Sequence, residues 1–170
     1  GTSSGTTNLQ NAYLAGGNWS ITGGHKTNIS GSLNLSGGTV AIERAHNAGN
    51  RTVVTVTGDI QITNTASGAY TAISLNPSNE VDGFAAEFVM KGDLRFVGNS
   101  TNNQTARIAA PAGVGPYGYI RLDGDRTFDI GDGAADQDLL VEAVLTDGAS
   151  TTGSLIKTGP GTLVLGNANT

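Results

Sequence analysis

Seven aspartates, Asp123, Asp125, Asp129, Asp132, Asp136, Asp138 and Asp147, fall within 25 consecutive positions and make up half of the fourteen acidic residues. Carboxylates this dense among glycines are the ligand type that calcium takes, with Asp123, Asp125, Asp129 and Asp132 as the candidate set. Their spacing is not that of an EF-hand loop, and the glycine–aspartate nonapeptide of calcium-binding solenoids is missing. A pair of the same carboxylates would suit glycoside hydrolysis if a pocket held them apart at the right distance. Asp132-Gly133 and Asp147-Gly148 are also ordinary turn formers. The expectation is turn chemistry, with no metal and no cofactor.

Three catalytic patterns fail on their context. Gly1-Thr2-Ser3-Ser4-Gly5 has the spacing of a nucleophile elbow, but an elbow needs a strand before it and a helix after it. Ser154-Leu155-Ile156-Lys157 and Lys157-Thr158-Gly159 have the spacings of penicillin-binding enzymes, yet one lysine would have to serve in both. On a strand, residues three apart face opposite ways. His25 and His46 stand in polar loops with no other ligand type nearby, so both are expected to be solvated. A polysaccharide lyase would need a base and acidic groups converging on one groove. Lys91, Arg95, Arg107 and Arg121 are the candidates, and no spacing singles them out.

Sugars stack on exposed aromatic rings. Trp19 and the run Gly115-Pro116-Tyr117-Gly118-Tyr119 are therefore candidates for a glycan platform. The alternative is that Trp19 covers the first turn of the fold and Tyr119 enters the core. Six N-x-Ser/Thr sequons, at Asn18, Asn28, Asn34, Asn50, Asn99 and Asn103, are what a chain rich in Asn, Ser and Thr produces by chance.

Bulk properties narrow the classes further. With 170 residues the chain suits one domain with a sizeable core. Glycine is 26 of 170, charged residues are 14% and aromatics 5%, a composition that disfavours helices and favours many short strands. The formal net charge of −5 gives no counterion-release affinity for nucleic acid and no attraction to anionic membranes. No apolar run approaches the length of a membrane span. There is no cysteine, hence no disulfide, thiolate metal site or thiol nucleophile. The first residues lack Met, a basic stretch and an apolar stretch, which suggests a removed leader or an excerpt of a longer chain.

The elements that would hold any site follow from a recurring phrase: Gly, a small or acidic residue, then apolar-x-apolar. It occurs at Gly31-Ser32-Leu33-Asn34-Leu35, Gly58-Asp59-Ile60-Gln61-Ile62, Gly92-Asp93-Leu94-Arg95-Phe96 and Gly161-Thr162-Leu163-Val164-Leu165. A looser copy with two extra residues runs from Gly124 through Phe128 to Ile130. The glycines are 27, 34, 32 and 37 residues apart, within the range of solenoid repeats. A repeat this short cannot bury its own apolar face, so neighbours must stack, and the five phrases are expected in register on one sheet, with Leu33, Ile60, Leu94, Phe128 or Ile130, and Leu163 in one core ladder. Further strands are expected at 38–42, 52–57, 70–75 and 139–145. Residues 80–90 admit either a helix capped by Asn79 or a strand. About five coils of a right-handed parallel β-helix would stand about 24 Å tall. A jelly-roll sandwich, the rival, does not repeat one phrase five times.

The last phrase and its lead-in, Ser154-Leu155-Ile156-Lys157-Thr158-Gly159-Pro160-Gly161-Thr162-Leu163-Val164-Leu165, resemble the autotransporter-associated β-strand repeat, also called the passenger-associated transport repeat. Asn169-Thr170 stands where the closing turn of that repeat ends, while Gly166 and Asn167 depart from the pattern. The match covers residues 154–170. The resemblance implies a parallel β-helix segment, residues 1–170, of a secreted or surface-displayed bacterial protein, acting as stalk or scaffold. The motif carries no catalytic residue. Its parts are structural: Gly159 and Gly161 permit a tight turn, Leu163 and Leu165 enter the core, and Lys157 stands on the outer face.

These observations lead to an all-β, non-enzymatic scaffold, stalk or filament segment, extracellular or at the cell surface. Its expected partners are copies of itself, end to end, and surface glycans. A glycan-binding adhesin and a polysaccharide lyase or hydrolase on the same fold are the alternatives.

Overall fold

The computed structural model describes residues 5–43, 51–76, 86–110, 118–167 and 169. Within them the chain winds through six coils of three short strands each, and no helix is present. The first coil is β1 (Thr6–Leu9), β2 (Ala12–Leu14) and β3 (Asn18–Ile21). The second is β4 (Lys26–Ile29), β5 (Leu33–Ser36) and β6 (Thr39–Glu43). The third is β7 (Thr52–Val56), β8 (Ile60–Thr63) and β9 (Tyr70–Asn76). The fourth is β10 (Ala86–Met90), β11 (Leu94–Val97) and β12 (Ala106–Ala109). The fifth is β13 (Gly118–Leu122), β14 (Arg126–Ile130) and β15 (Leu139–Val141), and the sixth is β16 (Val144–Asp147), β17 (Leu155–Thr158) and β18 (Leu163–Leu165).

Corresponding strands of successive coils pair in parallel, giving three six-stranded sheets. Sheet 1 runs β1-β4-β7-β10-β13-β16, sheet 2 runs β2-β5-β8-β11-β14-β17, and sheet 3 runs β3-β6-β9-β12-β15-β18. The architecture is a parallel β-helix, as expected, with six coils rather than five. The extra coil is the first. Its sheet 2 strand follows Gln10-Asn11 instead of Gly-Asp, so the phrase does not mark it.

The interior is a set of apolar ladders. On sheet 2, Ala12, Leu33, Ile60, Leu94 and Phe128 are successive partners, and so are Leu35, Ile62, Phe96 and Ile130. All of these except Ala12 are 1% exposed or less. Period-2 alternation turns Asn34, Gln61 and Arg95 outward. On sheet 1 the same logic stacks Thr27, Val54, Phe88, Ile120 and Leu145. Residues 86–90 are therefore a strand, not part of a helix. Ala86, Phe88 and Met90 enter the core while Val89 stays partly exposed. Asn79 lies outside the described residues.

Two expectations are corrected. The phrase at Gly161 does not lie on sheet 2 with the other four: Leu163 pairs with Leu139, and Leu165 with Val141, on sheet 3. The phrase marks a tight corner between sheets, and in the last coil that corner is the one between sheets 2 and 3. The run 139–145 is not one strand. It bends at Glu142-Ala143, where the Glu142 N–H donates to the Ile108 carbonyl and Ala143 fills a buried corner, so its halves lie on sheets 3 and 1.

The corner between sheets 1 and 2 explains the composition of the phrase. Gly31, Gly58 and Gly92 stack directly, and the Gly58 N–H donates to the Gly31 carbonyl at 3.0 Å. A Cβ on Gly58 would lie 2.8 Å from that carbonyl, and one on Gly92 would collide with the carbonyl of Gly58. Beside the glycines runs a polar ladder. Asn11 Oδ1 accepts the Ser32 N–H at 2.9 Å, Asp59 Oδ1 accepts that of Asp93 at 3.1 Å, and Asp93 Oδ1 accepts that of Thr127 at 2.9 Å. Asp125 Oδ1 accepts the Ser154 N–H at 3.1 Å. Glycine lets the backbones touch, and the acidic residue satisfies an amide that the turn leaves outside the sheet ladder.

Candidate functional site

The described residues from the Asp123 to Asp147 run are dispersed among separate tasks. Asp125 and Asp147 accept backbone N–H groups of Ser154 and Gly153. Asp129 accepts the Thr158 hydroxyl at 3.3 Å. Asp138, 3% exposed, accepts the Thr162 N–H at 2.8 Å and closes the corner before β18. Asp132 and Asp136 are exposed. Asp123 pairs with Lys91 at 2.9 Å and accepts the Thr151 hydroxyl at 2.5 Å. The Thr151 hydroxyl and the Lys91 ammonium hold the Asp123 carboxyl below the usual range. Among the described residues no three His, Cys, Asp or Glu side chains gather where one metal ion would meet them. Of the four calcium candidates, Asp123, Asp125 and Asp129 each take a partner within the chain, and Asp132 is exposed.

His25 is corrected from solvated to bonded. Its Nε2 lies 2.8 Å from the Thr7 hydroxyl, and the ring is partly buried against Gly5. His46 and the run 115–117 lie outside the described residues. Trp19 pairs with Val40 on sheet 3 and packs on the core from the first coil, as the covering role requires. Tyr119 does not enter the core. Gly118 and Ile120 point inward and Tyr119 stands partly exposed on the outer row of sheet 1, beside its partner Glu87.

The repeat-like motif occupies the last coil. Gly159 has φ 78°, a conformation that favours glycine, and Gly161 abuts Gly131 of the coil before. Leu163 packs against the core and Leu165 remains 39% exposed. Lys157 is corrected. Its register partner is the buried Phe128, so it takes an inward position, and only the lack of a following strand among the described residues leaves it exposed. Its ammonium caps the carbonyls of Thr158 and Gly159 at 3.2 and 2.8 Å. Leu122, Leu145, Leu155 and Leu165 surround a hollow of about 220 Å³ at this end.

The basic candidates divide between three faces. Arg95 is exposed on sheet 2, and Arg107 on sheet 3 pairs with Glu142 at 2.8 Å. Lys91 and Arg121 meet on sheet 1, in an open groove of about 630 Å³. There Glu87, 6% exposed, receives Arg121 Nε at 2.6 Å and Arg51 Nη1 at 3.1 Å on the same Oε1. Thr55 and Val89 form the floor, and Ala149, Ser150 and Thr151 line one side. Sequence reading missed Arg51 and Glu87. They lie 34–36 residues from their partners, and only the coil period brings them together.

Among the described residues no helix is long and apolar enough to cross a membrane. Neither the known protein families, nor the curated proteins, nor the solved structures contain a significant match to this chain.

Proposed function

We propose that this chain is a structural scaffold: a rigid β-helical stalk or filament segment of a secreted or surface-displayed bacterial protein, without catalytic activity. The observation that carries the reading is the stacking of six coils into three parallel six-stranded sheets around one apolar core. A fold whose length grows by adding coils makes a spacer or rod. A stack of parallel strands is extended when a strand of another chain is added to its last coil. Such a contact is heterologous and propagates instead of closing. The bacterial-surface setting rests on the resemblance of residues 154–165 to the autotransporter-associated repeat.

Sedimentation and negative-stain microscopy of the purified chain test this. The expected result is concentration-dependent, end-to-end association that Leu165→Lys suppresses. A compact monomer at high concentration, with no response to Leu165→Lys, overturns the filament form of the proposal.

A further inference from the structure

We propose that the groove on sheet 1 is a binding site for an acidic sugar, a saccharide carrying one carboxylate. This goes beyond the scaffold role and does not depend on it. Three cations, Arg51, Lys91 and Arg121, face two carboxylates, Glu87 and Asp123, so the described groove has a surplus of one positive charge on a chain whose net charge is −5. The ion pairs preorganise the donors. Arg121 spends its Nε on the buried Glu87, which fixes the guanidinium plane and leaves the two Nη groups as a fork for a ligand carboxylate. Lys91, tethered to Asp123, supplies a second donor two residues along from Val89, whose register partner is Arg121.

The remaining lining matches a sugar better than a phosphate. Hydroxyl groups need donors and acceptors in alternation, and the groove offers Arg and Lys donors, Glu87 and Asp123 acceptors, and the hydroxyls of Thr55, Ser150 and Thr151. Val89 gives the apolar patch that a sugar ring covers, and Tyr119 stands on the same outer face beside Glu87. A doubly charged phosphate would meet two carboxylates with only one cation to spare. The groove falls within the size range of ordinary ligand sites, which run from about 300 to 1,000 Å³. Asp123, whose carboxyl the Thr151 hydroxyl and Lys91 ammonium hold below its usual range, adds an acceptor at the edge of the groove.

Isothermal titration with a short oligoglucuronate, and with the neutral glucose oligomer of the same length, tests the proposal. Arg121→Gln removes the fork. Because it also leaves Glu87 less paired, Ser150→Trp serves as a second variant: Ser150 is exposed and makes no ion pair, so the added ring narrows the groove without touching the charges. The expected result is saturable binding of the acidic oligomer, with the neutral one and both variants weaker by about tenfold or more. Equal binding of the neutral oligomer, no saturable binding of the acidic one, or unchanged affinity in both variants would each overturn it.

Discussion

The carboxylate of Asp59 accepts the backbone N–H of Asp93 from the next coil, at 3.1 Å. Asp93 in turn accepts the N–H of Thr127, two coils on from Asp59. The acidic residue in the repeated phrase is thus a clamp between coils, placed where the backbone leaves one sheet and has not yet joined the next.

Asp93→Ala should lower stability by about 0.5–1.5 kcal/mol, since it removes the acceptor of the Thr127 N–H at a solvent-accessible corner. Asp93→Asn should recover part of this, because it keeps an oxygen at the same place. Gly92→Ala should be worse than either, as its Cβ would collide with the Gly58 carbonyl. Chemical denaturation of the three variants gives the order.

Position along the coil stack should grade the core substitutions. Ile60, fully buried between Leu33 and Leu94, should lose about 2–5 kcal/mol on replacement by Ala. Leu163, only partly buried in the last coil, should lose clearly less. Equal losses in thermal or urea melts would contradict this placement.

Alkaline stability should depend on Tyr70. Burial pushes its phenol from 10 up to about 12, and its hydroxyl donates to the Gly38 carbonyl at 3.0 Å. The folded state holds the proton more tightly than the unfolded one. This contribution is therefore complete below pH 10 and is lost as pH rises through about 12. Its size is on the order of 2 kcal/mol. Tyr70→Phe should flatten the decline in unfolding free energy between pH 10 and 12.

Asp123 should act at the opposite end of the pH scale. Its folded value lies below the ordinary 3.8, so its pairing with Thr151 and Lys91 stabilises the fold above that value. The benefit disappears as pH falls through the lower folded value. The melting temperatures of wild type and Asp123→Asn should differ at pH 6 and converge in stronger acid.

Metal removal should leave the melt unchanged. Asp125, Asp129, Asp138 and Asp147 bond to backbone N–H or hydroxyl groups of neighbouring residues. Calorimetry with EDTA, and again with added calcium, checks this; a large drop that calcium restores would place a true site in the Asp123 to Asp138 run.

The sequence by itself determined the coil. Glycine followed by an acidic or small residue and apolar-x-apolar can be read locally because a tight corner and a half-buried strand are local demands on φ, amide satisfaction and alternation. Four of the five phrases fall on one sheet as that pattern implies, with Leu33, Ile60, Leu94 and Phe128 in one ladder. Which corner a phrase occupies was not local information. Gly161 makes the same demands as Gly92 but lies between sheets 2 and 3, and only the path of the preceding β17 decides that. The same holds for the first coil, where Asn11 performs the clamp without the glycine that would have announced it. The charged groove was decided wholly by tertiary structure. Arg51, Glu87 and Arg121 lie 36 and 34 residues apart, close to one coil, but coil lengths vary with their loops, so the repeat alone does not say which side chains meet. Stacking sets their meeting on sheet 1, through hydrogen bonds between coils, and no pattern along the chain encodes it.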